Sequence, residues 1–247
     1  LAEGMTMSKK RGLLAIPMAL ALLMTGCSSA DQGEAPAPGG ASAQTEPKQG
    51  NLSAEQVETV VKDLLGEDPS VMIVGNDTMQ QQLQMAKDVK SAGGIKPEKC
   101  AQQMEKYSVT DLTGSISATG TVTDEKLGKV IQVFSITDDD TLQKISQALT
   151  LDNIDGCKDI TVEQGGETLN ASRQILPLDV KADQALTMST QLDAGADQKL
   201  SSTVVQALKG RNFVIVTFQT GMAEPAELSA QAVELANKAF AQIDAAK

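Results

Sequence analysis

Cys27, Cys100 and Cys157, the run Asp138-Asp139-Asp140 and a complete lack of histidine delimit the chemistry open to this chain. Without His there is no imidazole to activate a serine or cysteine nucleophile. The sequence also holds no G-x-S-x-G elbow, no S-x-x-K, no phosphate-cradling G-x-x-x-x-G-K and no H-E-x-x-H. A hydrolase built on two carboxylates would need aromatic platforms around its cleft, and aromatic residues make up only 2% of the chain. Enzymatic activity is therefore not expected, with a carboxylate-based envelope enzyme as the residual alternative. Asp138, Asp139 and Asp140 are the one oxygen-rich cluster that suits a hard cation. The same run stands directly before Thr141-Leu142, where a helix N-terminus favours negative charge. The cap is the expected role, and a metal or cofactor is not expected.

Cys27 has a different setting from the other two thiols. Lys9-Lys10-Arg11 precede an almost unbroken apolar stretch from Gly12 to Met24, and Thr25-Gly26-Cys27 follow. A basic start, a short apolar core and small residues at the end form an export signal and not a structural helix. The run Leu23-Met24-Thr25-Gly26-Cys27 resembles the lipobox of bacterial lipoproteins, although that pattern prefers Leu where this chain has Met24. The resemblance implies cleavage between Gly26 and Cys27 and a diacylglycerol-cysteine at Cys27, with fatty acyl chains such as palmitate. Met7 is then the expected start, and residues 1–26 comprise upstream sequence and signal peptide. Cys100 and Cys157 remain as an even pair in an exported chain, where disulfides persist. Bridging them would close a long loop, worth roughly 4 kcal/mol in the chain-entropy model; two free thiols are the alternative. A metal site is disfavoured, because neither His nor a third thiol is available to complete it.

The elements that must position these residues are legible from period and punctuation. Residues 27–52 combine the modified cysteine with a Ser/Ala/Gly/Pro/Gln-rich stretch that cannot bury enough apolar surface to order itself. It reads as a tether with a mean reach of roughly 25–30 Å. An extracytoplasmic domain is expected over 53–247. Ser53 with Gln56 forms a capping box ahead of Val57, Val60, Val61, Leu64 and Leu65, one helical stripe. A second helix opens at Asp77 and carries Met79, Leu83, Ala86 and Val89, closed by Gly93-Gly94. A third has Pro97 in its first turn and Cys100, Met104 and Tyr107 on one face.

From Gly114 the period becomes two. Ile116, Ala118, Gly120 and Val122 alternate with Ser and Thr, as in a half-exposed strand whose hydroxyls could also face a glycan. Further strands are expected at 129–137, 160–163, 168–176, 186–192, 201–208 and 212–218. A short helix follows the three aspartates, and Gly165-Gly166 and Gly210 lie at hairpin turns. Phe213 to Val216 is apolar on both faces, as in a central strand. The helix from Pro225 to about Asp244 shows a wide apolar arc, as if seated on a sheet. The expected class is α+β: N-terminal helices, a twisted antiparallel meander with an inserted helix, and a C-terminal helix. The disulfide would staple the third helix to the segment leading into the middle of the sheet.

The formal net charge is −11, and loss of the basic signal segment makes it more negative still. That excludes nucleic acid or an anionic bilayer as charge-driven partners. After the signal no second apolar run is long enough to cross a bilayer. The membrane is thus expected as a partner only through the lipid on Cys27, and a monomeric domain on the extracytoplasmic face is the expected state.

The segments Ile95-Lys96-Pro97-Glu98-Lys99-Cys100, Gly156-Cys157, Thr203-Val204-Val205-Gln206-Ala207 and Gly210-Arg211-Asn212-Phe213-Val214-Ile215-Val216 resemble actinobacterial sensor-type lipoproteins. These are similar to the extracellular domain of mycobacterial PknH-type receptor kinases. The likeness spans roughly residues 53–245. It implies a Pro-x-x-Cys helix before a twisted antiparallel sheet, and a non-enzymatic domain that binds an unidentified small ligand or envelope protein. This chain has one cysteine pair where that domain has two. A carrier of lipid or another hydrophobic molecule is the competing reading, and it requires a large apolar cavity.

Overall fold

The structure, a computed structural model, describes residues 51–67, 69–87, 94–109, 111–123, 127–164, 167–193, 199–221 and 225–247. The export signal, Cys27, the tether up to residue 50, Val89, Gly93 and the Gly165-Gly166 turn lie outside the described residues. The expected tether ends too late: Leu52 is fully buried in the core and its N donates to Ser135 Oγ at 2.9 Å. Helix α1 (Ala54–Leu65) starts at Ser53, whose hydroxyl accepts from Gln56 N while the Gln56 side chain accepts from Ser53 N. This reciprocal pair satisfies two of the amide donors that a helix start leaves open. Val57, Val60, Val61 and Leu65 are its buried stripe.

Strand β1 (Val71–Val74) and helix α2 (Asn76–Lys87) follow, then the two-residue strand β2 (Ile95–Lys96) and helix α3 (Glu98–Lys106). Neither of these strands was anticipated. Pro97, expected inside the first turn of α3, is instead its N-cap and follows a cis peptide bond. Strands β3 (Ser115–Thr123) and β4 (Leu127–Ile136) precede helix α4 (Asp139–Ala148). The chain then runs through β5 (Asp159–Gln164), β6 (Glu167–Ile175), β7 (Gln184–Asp193), β8 (Lys199–Lys209) and β9 (Asn212–Thr220), and ends in helix α5 (Pro225–Ala245).

The nine strands of the described residues join one sheet in the order β1-β3-β4-β9-β8-β7-β6-β5-β2, with antiparallel neighbours throughout. The meander from β5 to β9 returns the chain to the middle of the molecule. There β9 docks beside β4, so the doubly apolar strand is indeed an inner one. Its even residues Val214, Val216 and Phe218 join a cluster with α1 and α5 on one face, while Phe213 joins a second cluster on the other. That second cluster holds residues of α2, α3 and α4, among them Met79, Leu83, Cys100 and Ile145. Phe134 and Phe213 meet across β4 and β9 with ring centroids 5.9 Å apart. All four Phe are buried, and aliphatic side chains supply most of the rest of both clusters.

Helices on both faces change the reading of β3. Its Ser/Thr side was expected to face water, yet Ser115 and Ser117 are buried. Helix α2 reaches this end of the strand. Gln80 Nε2 donates to Ser115 O at 2.7 Å, and Asn76 Oδ1 accepts from Ser117 N at 3.1 Å. On the opposite face α1 approaches so closely that a Cβ on Gly120 would stand 2.3 Å from Leu65 Cδ1 and 2.6 Å from Val61 Cγ1.

Candidate functional site

The two helices on the first face, α1 and α5, pack on β1, β3, β4, β9, β8 and β7. Beyond them the sheet continues through β6, β5 and β2, and there the polar half of the strand alternation stands open. A groove of about 610 Å³ lies on this part. Residues at matching register bring Lys96, Asp159, Asn170, Ser172, Asp193 and Lys199 to its lining. Lys96 Nζ lies 2.6 Å from Glu163 Oε1. The hydrogen bond to Glu163, and then the charge of that carboxylate, hold the Lys96 ammonium above its usual pKa. Cations and carboxylates alternate along the groove with amides and hydroxyls, so it offers hydrogen bonds of both senses and no strong field of one sign.

Cys100 and Cys157 form the disulfide, with S–S 2.05 Å and Cα atoms 5.4 Å apart. Both are buried. The bond joins α3 to the segment entering β5. That strand is second from the far edge of the sheet, so the staple secures the edge and not the middle as expected.

The three aspartates take separate tasks. Asp138 Oδ2 accepts from Thr141 N at 2.7 Å and caps α4. Asp139 Oδ1 lies 2.7 Å from Arg211 Nη2, which ties α4 to the turn between β8 and β9. Asp140 is exposed. Among the described residues no group of three or more His, Cys, Asp or Glu is arranged to hold a metal ion. Met79 is buried in the second cluster and Met104 packs against it, whereas Met85 is 66% exposed.

Sequence reading missed Arg173. On β6 it occupies the parity of Leu169, Ala171 and Ile175, so it points with them towards the second face, away from the groove. It is the one charged residue in the buried set of the described residues, at 8% exposure. Its Nη2 lies 2.9 Å from Met188 Sδ, a weak acceptor, and its Nη1 is buried without a hydrogen-bond partner. Burial pushes the guanidinium below its usual pKa. The signal was present in the sequence: a cation in register with three apolar residues on a strand.

No protein-family model matches this chain, and no curated protein matches it. Two solved structures are similar in fold. One is the extracellular domain of PknH from Mycobacterium tuberculosis, at a TM-score of 0.46 and 11% identity, covering 79% of this chain and 98% of that one. The other is an Rv0999 ortholog from Mycobacterium smegmatis, at a TM-score of 0.44 and 13% identity, covering 76% of this chain and 96% of that one.

Proposed function

We propose that this protein is a lipid-anchored, non-enzymatic binding domain on the extracytoplasmic face of the cell membrane, joined to its acyl anchor at Cys27 by a tether. The observation that carries the location is the buried Cys100–Cys157 disulfide. Such bonds persist in oxidising compartments, and that agrees with the export signal read before Cys27. The uncovered polar groove supports a binding role. It spans the β2 edge of the sheet and the strands β5 to β8 beside it, and it presents donors and acceptors without the nucleophile-and-base pairing that catalysis would use.

Replacing Cys27 by Ala tests the anchor. In cells fed an alkyne fatty acid, the natural chain should be labelled and sediment with membranes, and the C27A chain should be unlabelled and released. A C27A chain that stays with the membrane would sink the reading.

A further inference from the structure

We propose that Arg173 anchors a site for an organic oxyanion, a carboxylate or phosphate monoester carried on an apolar chain, on the sheet face opposite the groove. A charge taken out of water is costly unless an opposite charge and hydrogen bonds replace its hydration. Arg173 has the burial without that replacement: among the described residues no carboxylate pairs with it, and Nη1 donates to nothing. A guanidinium presents a planar fork of donors that matches both carboxylate and phosphate oxygens.

The surroundings define the rest of the ligand. Thr190 stands directly across from Arg173 on β7, and Ser202 stands across from Thr190 on β8. Strand spacing puts Ser202 about 10 Å from Arg173 between Cα atoms, and Ser202 Oγ is also buried without a partner. Two unsatisfied groups from different strands thus share one row of one face, with the Thr190 hydroxyl between them. One step along the strands lies an apolar row, in which Ile175 pairs with Met188 and Met188 with Val204. Ile175 and Met188 are partly buried there against the second cluster. The contact with Met188 draws the guanidinium towards that apolar row. An oxyanion would complete the polar row while its apolar chain covered the other.

This reading goes beyond the membrane anchor and does not depend on it. Isothermal titration of the full chain carrying Cys27→Ala, so that no acyl chain of its own competes, tests it with four probes: octanoate, octyl phosphate, inorganic phosphate and octanol. We expect octanoate or octyl phosphate to bind one to one, and at least tenfold more tightly than phosphate or octanol. The tighter of the two names the head group. Arg173→Met should weaken that binding at least tenfold, and Arg173→Lys by a smaller factor. Ser202→Ala, a milder change, should weaken it about threefold. Failure of both amphiphiles to bind, equal binding of octanol, or an R173M chain that binds within twofold of the parent would each overturn the proposal. Circular dichroism confirms that each variant is folded before titration.

Discussion

An unpaired buried cation should make the ligand-free protein less stable than a version without it. Consider Arg173→Met in anion-free buffer. The substitution removes the Nη2 contact to Met188 Sδ and the partnerless Nη1. Methionine is flexible, apolar and of similar reach, so it can fill the space of the Arg173 stem beside Met188. Leaving a buried donor unsatisfied costs about 1–3 kcal/mol, and more when the group is charged. Replacing buried ionic groups by apolar ones of similar volume often stabilises by about 1–4 kcal/mol. Arg173 keeps 8% exposure, through which some hydration survives, and the lost sulfur contact offsets part of the gain. The net expectation is a stabilisation of about 1–2 kcal/mol.

For a domain of this size each kcal/mol moves Tm by about 2–4 °C, so the variant should melt about 2–8 °C above its parent. Differential scanning calorimetry after refolding from denaturant, which strips any bound anion, provides the measurement. Urea titration at constant m checks that the change is one of stability and not of denatured-state compactness. A variant that melts below the parent under these conditions would refute the reasoning, because it would show that the guanidinium is a stabilising part of the fold. Adding the tighter amphiphile should then raise the parent's Tm and leave that of R173M nearly unmoved.

Two further outcomes test the frame that holds the site. Replacing Cys100 and Cys157 together by Ala should lower stability by about 4 kcal/mol on chain-entropy grounds; a loss under 1 kcal/mol by denaturant titration would mean that the α3–β5 junction holds itself. Gly120→Ala should cost about 1–3 kcal/mol, because its Cβ meets Leu65 and Val61 on α1 and overpacking forces one of them aside. Unchanged urea unfolding of G120A would show that α1 can shift without loss.

Much of the fold was legible where local and tertiary signals agree. The capping box at Ser53, the aspartate cap at Asp138 and the two-residue turn beyond Lys209 each declare themselves within a few positions. The inner strand β9 shows itself by apolar residues of both parities, since both of its faces are covered. The cysteine pairing followed from parity alone, whereas its place at the sheet edge depends on strand order, which no local pattern encodes. The strands that escaped notice are short. Val71–Val74 is a four-residue apolar run that could belong to a helix or a strand, and it is a strand because β3 offers it an edge. Ile95–Lys96 has two residues and exists only through its pairing with β5.

The missed features share a cause. A strand's alternation identifies two sides but not which side is covered, and in this fold both sides are covered over different spans of the sheet. Hence Ser115 and Ser117, polar and expected outside, lie beneath α2. Asn170 and Ser172, of the opposite parity to Arg173, face the open groove. Arg173 breaks the rule in the other direction, a charge in register with the apolar residues of its own strand and, among the described residues, with no carboxylate paired to it. The neighbouring strand limits its freedom to escape: Arg173 N donates to Lys158 O at 2.6 Å, and Lys158 directly follows Cys157 of the disulfide. Backbone pairing therefore fixes the Arg173 Cα next to a covalently stapled segment, and a register shift that would expose the side chain would also turn Ala171 and Ile175 out of the core. The sheet thus holds the guanidinium where water cannot fully reach it. A local conflict kept in place by an otherwise consistent fold is what a binding residue awaiting its counter-charge should look like.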